Sequence, residues 1–398
     1  MEMEQATSMK RRFSEPDGPR TETKHLYLIF DDYPWGYSIR EINLSPPSTH
    51  QKTSAGGKGA GRVLPPPVIC FEAPRGRPWF FSAVGTKIMA MHRRHSFDDS
   101  MPDGFLPIVD VRWRGFTFGP LQIIQDLPIY VPVGEELFSL DVCSFRKLSL
   151  KPLWPPRLEI GDRSDAGWSW CNLPDPSFGR EDVTSYAVHP DGRTILFSTE
   201  SDAAEPTLAS DGQTVIFSTE ISPTTFTFDM RSLVWKRHGE WTLPFTGRAF
   251  FVQCLQNFVG LSKDPDTFGH LCSCDAADTD STPAWKVSKE KLFSEEPDET
   301  HVGATLIHMG EGSEFCLLQC VSIEQGNGAD QQLKEVQLKE DGEIPRCCSY
   351  LYRLTTFCLS FDDNGDLTTG GTCQVQYYKV PEETTEAFLG TDPVAFWL

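Results

Sequence analysis

Residues 225–241 read TFTFDMRSLVWKRHGEW. A run of alternating polar and apolar side chains ends in Phe228-Asp229, a short polar turn follows, and a second run carries Trp235. Two such runs around a short turn are typical of a β-hairpin. In a kelch-like propeller, the outer hairpin of a blade carries a tryptophan that packs between neighbouring blades. This stretch therefore favours a propeller over a β-sandwich.

Weaker versions of this hairpin occur on either side of it. Residues 137–148 read LFSLDVCSFRKL, and residues 357–367 repeat the pattern around Asn364-Gly365, a pair that forms tight turns because both positions tolerate positive φ. Short apolar runs recur about every 8–12 residues, a spacing that indicates strands. No stretch holds a helical period over three turns. The chain is therefore expected to be all-β.

Composition supports one large β domain. The 398 residues include 30 Pro and 31 Gly, and 12% are aromatic, which provides many turns and an ample core. We predict a kelch-like β-propeller of five or six blades, one of them incomplete. The propeller is expected to span residues 24–398 after a disordered leader at 1–23, with flexible loops near 45–67 and 323–346.

Two phrases in the chain are nearly identical, DGRTILFSTE at 191–200 and DGQTVIFSTE at 211–220. The second phrase begins 20 residues after the first. A blade needs about 40–50 residues, so this spacing is too short for a blade repeat. We interpret it as a local strand duplication in which one copy replaces or extends a loop. The second copy runs directly into the hairpin at 225–241 and is expected to be the blade strand.

Charge and cysteine content limit the partners and the compartment. The chain has 36 basic and 56 acidic residues, a formal charge of −20. Nucleic acids and anionic membranes attract clustered Lys and Arg, so neither is expected as a partner. The first 20 residues are polar and contain no apolar signal segment. We expect a cytoplasmic or nuclear monomer whose 12 cysteines are free thiols.

Candidate metal ligands occur at two places. His270, Cys272 and Cys274 alternate and would share one face of a strand, but a closed zinc site needs a fourth ligand, and no second knuckle has matching spacing. The oxygen-rich residues 362–366 lack the spacing and the final Glu of an EF-hand loop. A packed strand and a solvated turn are expected, and no metal site is predicted.

No sequence motif indicates catalysis. A Gly-x-Ser-x-Gly elbow is absent, and no cysteine has neighbours that suggest an activated thiolate. His189 lies in an HPDG turn, and the acidic residues at 295–299 lie in a proline-containing loop. Glycosidase carboxylates, by contrast, need burial. We predict no catalytic residue and no cofactor.

The blade pattern continues into a longer set of phrases that resembles a plant family. The segments that carry the resemblance are 185–189, 194–200, 225–229, 259–262 and 270–272, with 10–13, 306–310 and 396–398. In this combination the chain resembles domain-of-unknown-function family 1668, which is expanded in grasses. The likeness covers nearly the whole chain and is densest between about residues 185 and 318.

This resemblance implies a kelch-like propeller with no assigned activity. It departs from the family near Val84, where Gly85 leads directly into the next strand and the family has a further strand pair, so we expect one shortened blade there. The pattern also implies a set of structural blade residues, namely Phe228, Asp229, Trp235, Trp241, Pro244, Phe245 and Gly247.

Two functions are compatible with these observations. We expect a non-enzymatic scaffold for protein–protein interactions with an unidentified protein partner, because propeller loops present a broad face and acidic loops could dock a basic partner. The alternative is a propeller enzyme or small-molecule binder with a site at the channel mouth. A concave pocket with converging His, Asp or Tyr side chains and shifted pKa values would favour the alternative. A shallow acidic or aromatic face would favour the scaffold.

Overall fold

The computed structural model describes residues 24–44, 61–73, 75–91, 105–120, 127–142, 144–150, 168–208, 215–275, 282–310, 312–324 and 348–398. The predicted leader at 1–23 lies outside these residues, as do 45–60 and 325–346 of the two predicted loops. Residues 61–67 are described, and Arg62 among them forms a parallel bridge with Tyr378. Its N–H donates to the carbonyl of Tyr377 at 2.8 Å, and its carbonyl accepts from the N–H of Lys379 at 2.9 Å.

The described residues form 26 strands and four short helices. Strands in the first half of the chain are β1 (Leu26–Tyr33), β2 (Gly36–Ile42), β3 (Ile69–Glu72), β4 (Phe81–Val84), β5 (Lys87–Ala90), β6 (Phe105–Asp110), β7 (Gly115–Pro120), β8 (Ile129–Val133), β9 (Glu136–Asp141), β10 (Ser144–Ser149), β11 (Trp170–Asn172), β12 (Val183–Val188) and β13 (Thr194–Leu208).

Strands in the second half are β14 (Val215–Asp229), β15 (Val234–Gly239), β16 (Phe245–Val252), β17 (Asn257–Ser262), β18 (His270–Asp275), β19 (Trp285–Lys291), β20 (Glu299–His308), β21 (Glu314–Glu324), β22 (Cys348–Cys358), β23 (Ser360–Phe361), β24 (Leu367–Thr368), β25 (Gln374–Lys379) and β26 (Ala395–Trp397). The helices are the 3-10 turns Pro78–Phe80, Arg180–Asp182 and Pro265–Thr267, and α1 (Glu386–Leu389).

These strands form six groups of four, apart from the small β23–β24 hairpin. In spatial order the groups are β26-β1-β2-β3, β4-β5-β6-β7, β8-β9-β10-β11, β12-β13-β14-β15, β16-β17-β18-β19 and β20-β21-β22-β25. A parallel pairing of β12 with β16 joins two groups into one eight-stranded sheet. Successive four-stranded antiparallel sheets are the architecture of a β-propeller. The all-β prediction is confirmed.

The core lies between the groups. Six buried clusters each join residues of two consecutive groups, and one of them joins the last group to the first. In β1, for example, Leu26 and Leu28 pack against the sixth group while Tyr27 and Ile29 pack against the second. Successive side chains of a strand point to opposite faces, so each sheet is buried on both faces by its neighbours.

The blade expected to be short near Val84 has all four strands, so that prediction is wrong. Val84 pairs with Lys87 across a two-residue turn, and Gly85 takes a φ of +58° there, which glycine adopts without strain. β5 then pairs with β6, and β6 with β7. The direct connection is a tight hairpin and removes no strand.

The assignment of the duplicated phrases is also wrong. The first copy is the blade strand: Ile195, Leu196 and Phe197 are fully buried, and this part of β13 pairs with both β12 and the end of β14. The second copy pairs with residues 203–208 in the extension of the same hairpin. The second copy does run directly into the hairpin at 225–241, but the residues that pair with Ile195–Phe197 are 226–228 of that hairpin and not the second copy.

Candidate functional site

One cavity lies where the inner strands of the six groups meet. It has a volume of about 860 Å³ and is bordered by the innermost strand of every group. The lining includes Phe396 from β26, Phe81 from β4, Tyr130 from β8, Tyr186 from β12, Arg248 from β16 and Thr305 from β20. Such a cavity is the central channel of a propeller, and its volume suits a small molecule.

A bulge in β16 turns Arg248 towards this channel. The pairing of β16 with β17 is interrupted between Thr246 and Phe250, and Gly247 has a φ of +66° within the bulge. The freed segment pairs in parallel with β12, where Arg248 stands opposite Tyr186. A bulge re-aims side chains in this way, and here it places a cation on the channel wall.

Among the described residues, neither of two channel arginines has a carboxylate partner. Within the described chain, no side-chain hydrogen bond or ion pair joins Arg180 or Arg248 to another residue, and the Nε of Arg180 is buried. The Arg248 guanidinium lies 4.7 Å from the centroid of the Phe250 ring. Burial lowers the pKa of Arg248, and the nearby Tyr186 opposes this shift. A cation surrounded by protein without a partner is costly.

Two tyrosines line the same channel. Burial raises the pKa of Tyr186, while the charges of Arg248 and Arg180 lower it, so both arginines act on the same phenol. On the inner strand of the preceding group, the buried hydroxyl of Tyr130 has no hydrogen-bond partner among the described residues. Burial raises its pKa, and Asp141 adds to the shift. Both phenols therefore remain protonated near neutral pH.

Another part of the lining carries Asp392 and His301. The Oδ1 of Asp392 accepts a hydrogen bond from the backbone N–H of Ala304 at 3.0 Å; the surrounding protein raises the pKa of Asp392, although the side chain is open to the channel. Gln319 donates to Nδ1 of His301 at 3.1 Å, and the imidazole stacks on Phe293 at 4.3 Å. Burial lowers the pKa of His301, and Asp392 opposes the shift.

A second channel histidine, His308, lies near Arg248. Its Nε2 donates to the carbonyl of Gly312 at 2.7 Å, and its ring centroid is 5.9 Å from that of Phe250. Burial lowers the pKa of His308, the bond to Gly312 opposes this, and the charges of Arg248 and Lys24 lower it further. The imidazole is thus held neutral near positive charge.

Two of the channel hydroxyls are bonded to backbone. Thr305 Oγ1 donates to the carbonyl of Pro393 at 2.6 Å, and Thr391 Oγ1 donates to that of Phe388 at 3.0 Å. An activated nucleophile instead donates to a neighbouring base. The lining therefore combines unpaired cations, protonated phenols and aromatic rings, a set of groups suited to holding a ligand.

The predicted blade residues lie at the joints between groups. Phe228 and Trp235 are opposite each other in the β14–β15 register, with ring centroids 4.9 Å apart. Trp235 also lies 5.0 Å from Phe145 of the preceding group, and its indole N–H donates to the carbonyl of Pro174 at 2.7 Å. Asp229 closes the hairpin turn by accepting from two backbone N–H groups at 2.8 and 2.9 Å.

The other predicted blade residues fix the start of β16. Trp241 and Phe245 are buried, and the carbonyl of Trp241 accepts from the hydroxyl of Thr225 at 2.6 Å. The carbonyl of Pro244 accepts from the N–H of Lys263 at 3.1 Å. Of the predicted set, only Gly247 borders the channel.

The rejected metal candidates have structural roles. Cys272 and Cys274 are fully buried in β18, and a ring nitrogen of His270 lies 2.9 Å from the carbonyl oxygen of Ser288. Asp362 accepts from the backbone N–H groups of Asn364 and Asp366 at 2.9 Å, which shapes the turn. The searched part of the chain contains no group of His, Cys, Asp or Glu that could hold a metal, and no helix in it is long and apolar enough to span a membrane.

Sequence reasoning missed all the charged channel residues. One signal was available for Arg248, because it directly follows Gly247. A glycine inside a strand can mark a bulge with positive φ, which would re-aim the arginine that follows it. Arg180, His301 and Asp392 lie in separate groups, and nothing in their local sequence indicates that they share one cavity.

Comparison with known proteins gives a family model and distant structural likenesses. The model described as "Protein of unknown function (DUF1668)" matches residues 23–370. No curated protein matches the chain.

Solved structures similar to this chain include propellers and enzymes. A periplasmic gluconolactonase, PpgL, from Pseudomonas aeruginosa is 11% identical, with 90% of this chain and 99% of that chain covered at a TM-score of 0.39. A putative 6-phosphogluconolactonase from Bacteroides fragilis is 11% identical, with coverage of 91% and 99% and a TM-score of 0.38. The Cps50 (Swd1) β-propeller domain from Myceliophteria thermophila is 13% identical, with coverage of 63% and 70% and a TM-score of 0.27. Likenesses this distant carry no argument about activity.

Proposed function

Since the chain belongs to the DUF1668 family, whose members are proteins of unknown function, we propose that it is a non-enzymatic binding protein whose central channel holds a small-molecule ligand. The observation that carries this proposal is the channel itself. All six inner strands border one cavity of about 860 Å³, and two of its cations, Arg180 and Arg248, have no partner among the described residues.

The channel fits the alternative raised by the sequence better than the scaffold. A concave pocket with converging His, Asp and Tyr side chains was the feature that would favour a ligand site. His301, His308, Asp392 and Tyr186 converge on this cavity, and each has a shifted pKa. Small-molecule sites are usually concave and largely apolar, with a few placed polar groups.

Binding is favoured over catalysis by the hydrogen bonds of the lining. Each channel histidine has a ring nitrogen engaged by a neighbouring protein group, and burial lowers the pKa of both. Thr305 and Thr391 donate to carbonyls. A general base must reach the proton that it removes. These hydrogen bonds instead hold the histidines and threonines against neighbouring protein groups.

We further propose that the six groups are the blades of one closed kelch-like ring. Support comes from the buried cluster that joins the sixth group to the first and from the pairing of β26 with β1. Trp235, which packs between two groups, supports the kelch-like blade type.

A fragment screen by thermal shift tests the channel proposal. Fragments that bind in the channel should raise the Tm of the wild-type chain. Thr246→Trp, at an exposed position of the channel lining, should abolish these shifts by filling the space. Val234→Trp, at a position 55% exposed on an outer strand, is the matched control and should retain them. Equal shifts in all three proteins, or none in the wild type, would overturn the proposal.

A scaffold function remains a second candidate because of an aromatic edge. Trp113, just before β7, is 75% exposed, and Phe116, within β7, is 51% exposed. Among the described strands, β7 pairs only with β6. Exposed aromatic side chains at a sheet edge can bind a partner strand. Affinity purification with mass spectrometry should recover a protein partner with the wild type and lose it with Trp113→Ser/Phe116→Ser. A partner that binds both proteins equally would remove this candidate.

A further inference from the structure

We infer that the channel ligand is a small organic anion, with its carboxylate bound at Arg248 and Arg180 and its apolar part against Phe250. This inference rests on the proposed channel-binding function and adds the chemical class of the ligand. No sequence motif or family description assigns such a site to the chain.

The unpaired state of the arginines is the first argument. Neither side chain makes a hydrogen bond or an ion pair with the described residues, although both border the channel. Desolvating a guanidinium without a counter-charge is unfavourable. Proteins keep arginine at such positions where its planar fork binds a carboxylate or phosphate.

The two arginines act on the same part of the channel. Both perturb the same phenol, Tyr186, which stands opposite Arg248 in the parallel pairing of β12 and β16. Arg248 and Lys24 also act on His308. A protein with a formal charge of −20 therefore concentrates positive charge along one part of its channel. An anion entering this region gains two cations and a phenol donor.

The side chains next to Arg248 indicate that part of the ligand is apolar. The ring of Phe250 lies directly under the guanidinium at 4.7 Å and 5.9 Å from the ring of His308, and Leu261 also lines the cavity. The cavity volume of about 860 Å³ is far larger than an inorganic ion requires. An aromatic or aliphatic group attached to the carboxylate would cover this surface and exclude water from the ion pair.

A cationic ligand is disfavoured because the acidic lining is already engaged. Asp392 is the acidic side chain among the described lining residues, and its Oδ1 accepts from Ala304 N–H. Arg180 and Arg248, by contrast, make no side-chain hydrogen bond with the described residues.

Isothermal titration of the full chain with 3-phenylpropionate tests the inference. We expect saturable binding, and at least tenfold weaker binding of the neutral 3-phenylpropanamide and of inorganic phosphate. Arg248→Met and Arg180→Met should each weaken 3-phenylpropionate binding at least tenfold. Arg237→Met is the matched control, because Arg237 lies on β15 in an exposed ion pair with Glu240 at 3.3 Å, and it should bind like the wild type.

A melting curve separates recognition from folding. Arg248→Met removes a cation that makes no hydrogen bond or ion pair with the described residues and leaves an apolar side chain beside Phe250, so its Tm should stay close to that of the wild type while binding is lost. If the amide binds as tightly as the acid, or if Arg248→Met binds normally, the anion inference is overturned and the channel proposal stands. If phosphate binds as tightly as 3-phenylpropionate, the apolar half is wrong. If neither these compounds nor any fragment in the thermal-shift screen binds in the channel, the proposed function itself fails.

Discussion

Arg248 and Tyr186 face each other across the parallel pairing of β16 and β12, and both side chains line the central channel. This pairing exists because the bulge at Gly247 releases β16 from its antiparallel partner. One glycine thus links two blades through the backbone and places an arginine in the cavity. The blade structure and the candidate site are consequences of the same bulge.

The tryptophan joint between blades should contribute strongly to stability. Trp235→Ala removes ring contacts with Phe145 and Phe228 and a hydrogen bond to Pro174. We expect a loss of about 2–4 kcal/mol in the free energy of unfolding, measured by denaturant titration. Trp35→Ala is the control, because Trp35 is 71% exposed, and it should change stability by less than about 0.5 kcal/mol. Similar losses in both variants would contradict the role of Trp235 in stabilising the contact between neighbouring blades.

The duplicated phrases offer a matched pair of substitutions. Phe197→Ala alters the copy that is fully buried in the blade and should cost about 3–5 kcal/mol. Phe217→Ala alters the equivalent position of the second copy, whose backbone pairs with Pro206 in the hairpin extension, beyond the part of β13 that pairs with β12, and we expect a smaller cost. Thermal or denaturant unfolding measures both. Equal costs would show that the copies contribute alike to the fold.

The β13–β14 extension should be removable as a unit. Glu200 pairs with Pro223, so deletion of residues 201–220 leaves Ile221-Ser222 as a two-residue hairpin turn. Shortening a loop changes its closure entropy only slightly, and we expect an unfolding free energy within about 1 kcal/mol of the wild type. Replacing Ile221-Ser222 by Asn-Gly in the deletion should raise stability, because this pair favours the tight turn. A deletion variant that fails to fold would contradict the register.

Cysteine reactivity should divide the thiols into two sets. Burial raises the pKa of Cys272 to about 12, and also that of Cys320 to about 12, whereas Cys171 and Cys254 are exposed. The thiolate is the reactive form, so iodoacetamide at pH 8 should label Cys171 and Cys254 in the folded protein and the buried pair only after unfolding. Peptide mass spectrometry measures the labelling of each residue. Comparable labelling of Cys320 in the folded state would contradict its burial.

Much of the fold was readable because it depends on local patterns. The alternation around Trp235, the Asn364-Gly365 turn and the regular spacing of apolar runs each reflect strand geometry, which depends on neighbouring residues. Two local inferences were wrong for definite reasons. The tight turn at Gly85 shortens the connection between two strands, and the sequence alone made this look like the loss of a strand pair. The phrases at 191–200 and 211–220 are nearly identical, and their different strand pairing depends on distant residues. Cys70 and Cys254 lie in apolar runs but are exposed, because Cys70 is on the outer face of β3 and Cys254 is in the turn between β16 and β17.

The candidate site was far less readable from the sequence. Arg180 lies in the 3-10 turn before β12, Arg248 in β16 and Asp392 before β26, and they border one cavity only because the sheets are arranged around it. Their local sequences resemble ordinary strand ends and turns. A channel site of this kind depends on long-range assembly, which no residue spacing along the chain encodes.

A crystal structure of the chain with 4-bromobenzoate would show directly whether the channel binds an organic anion. We expect an anomalous bromine peak within the central channel near Phe250, and a carboxylate about 2.7–3.2 Å from the guanidinium of Arg248. An empty channel, or bromine confined to the outer blade surfaces, would contradict this expectation.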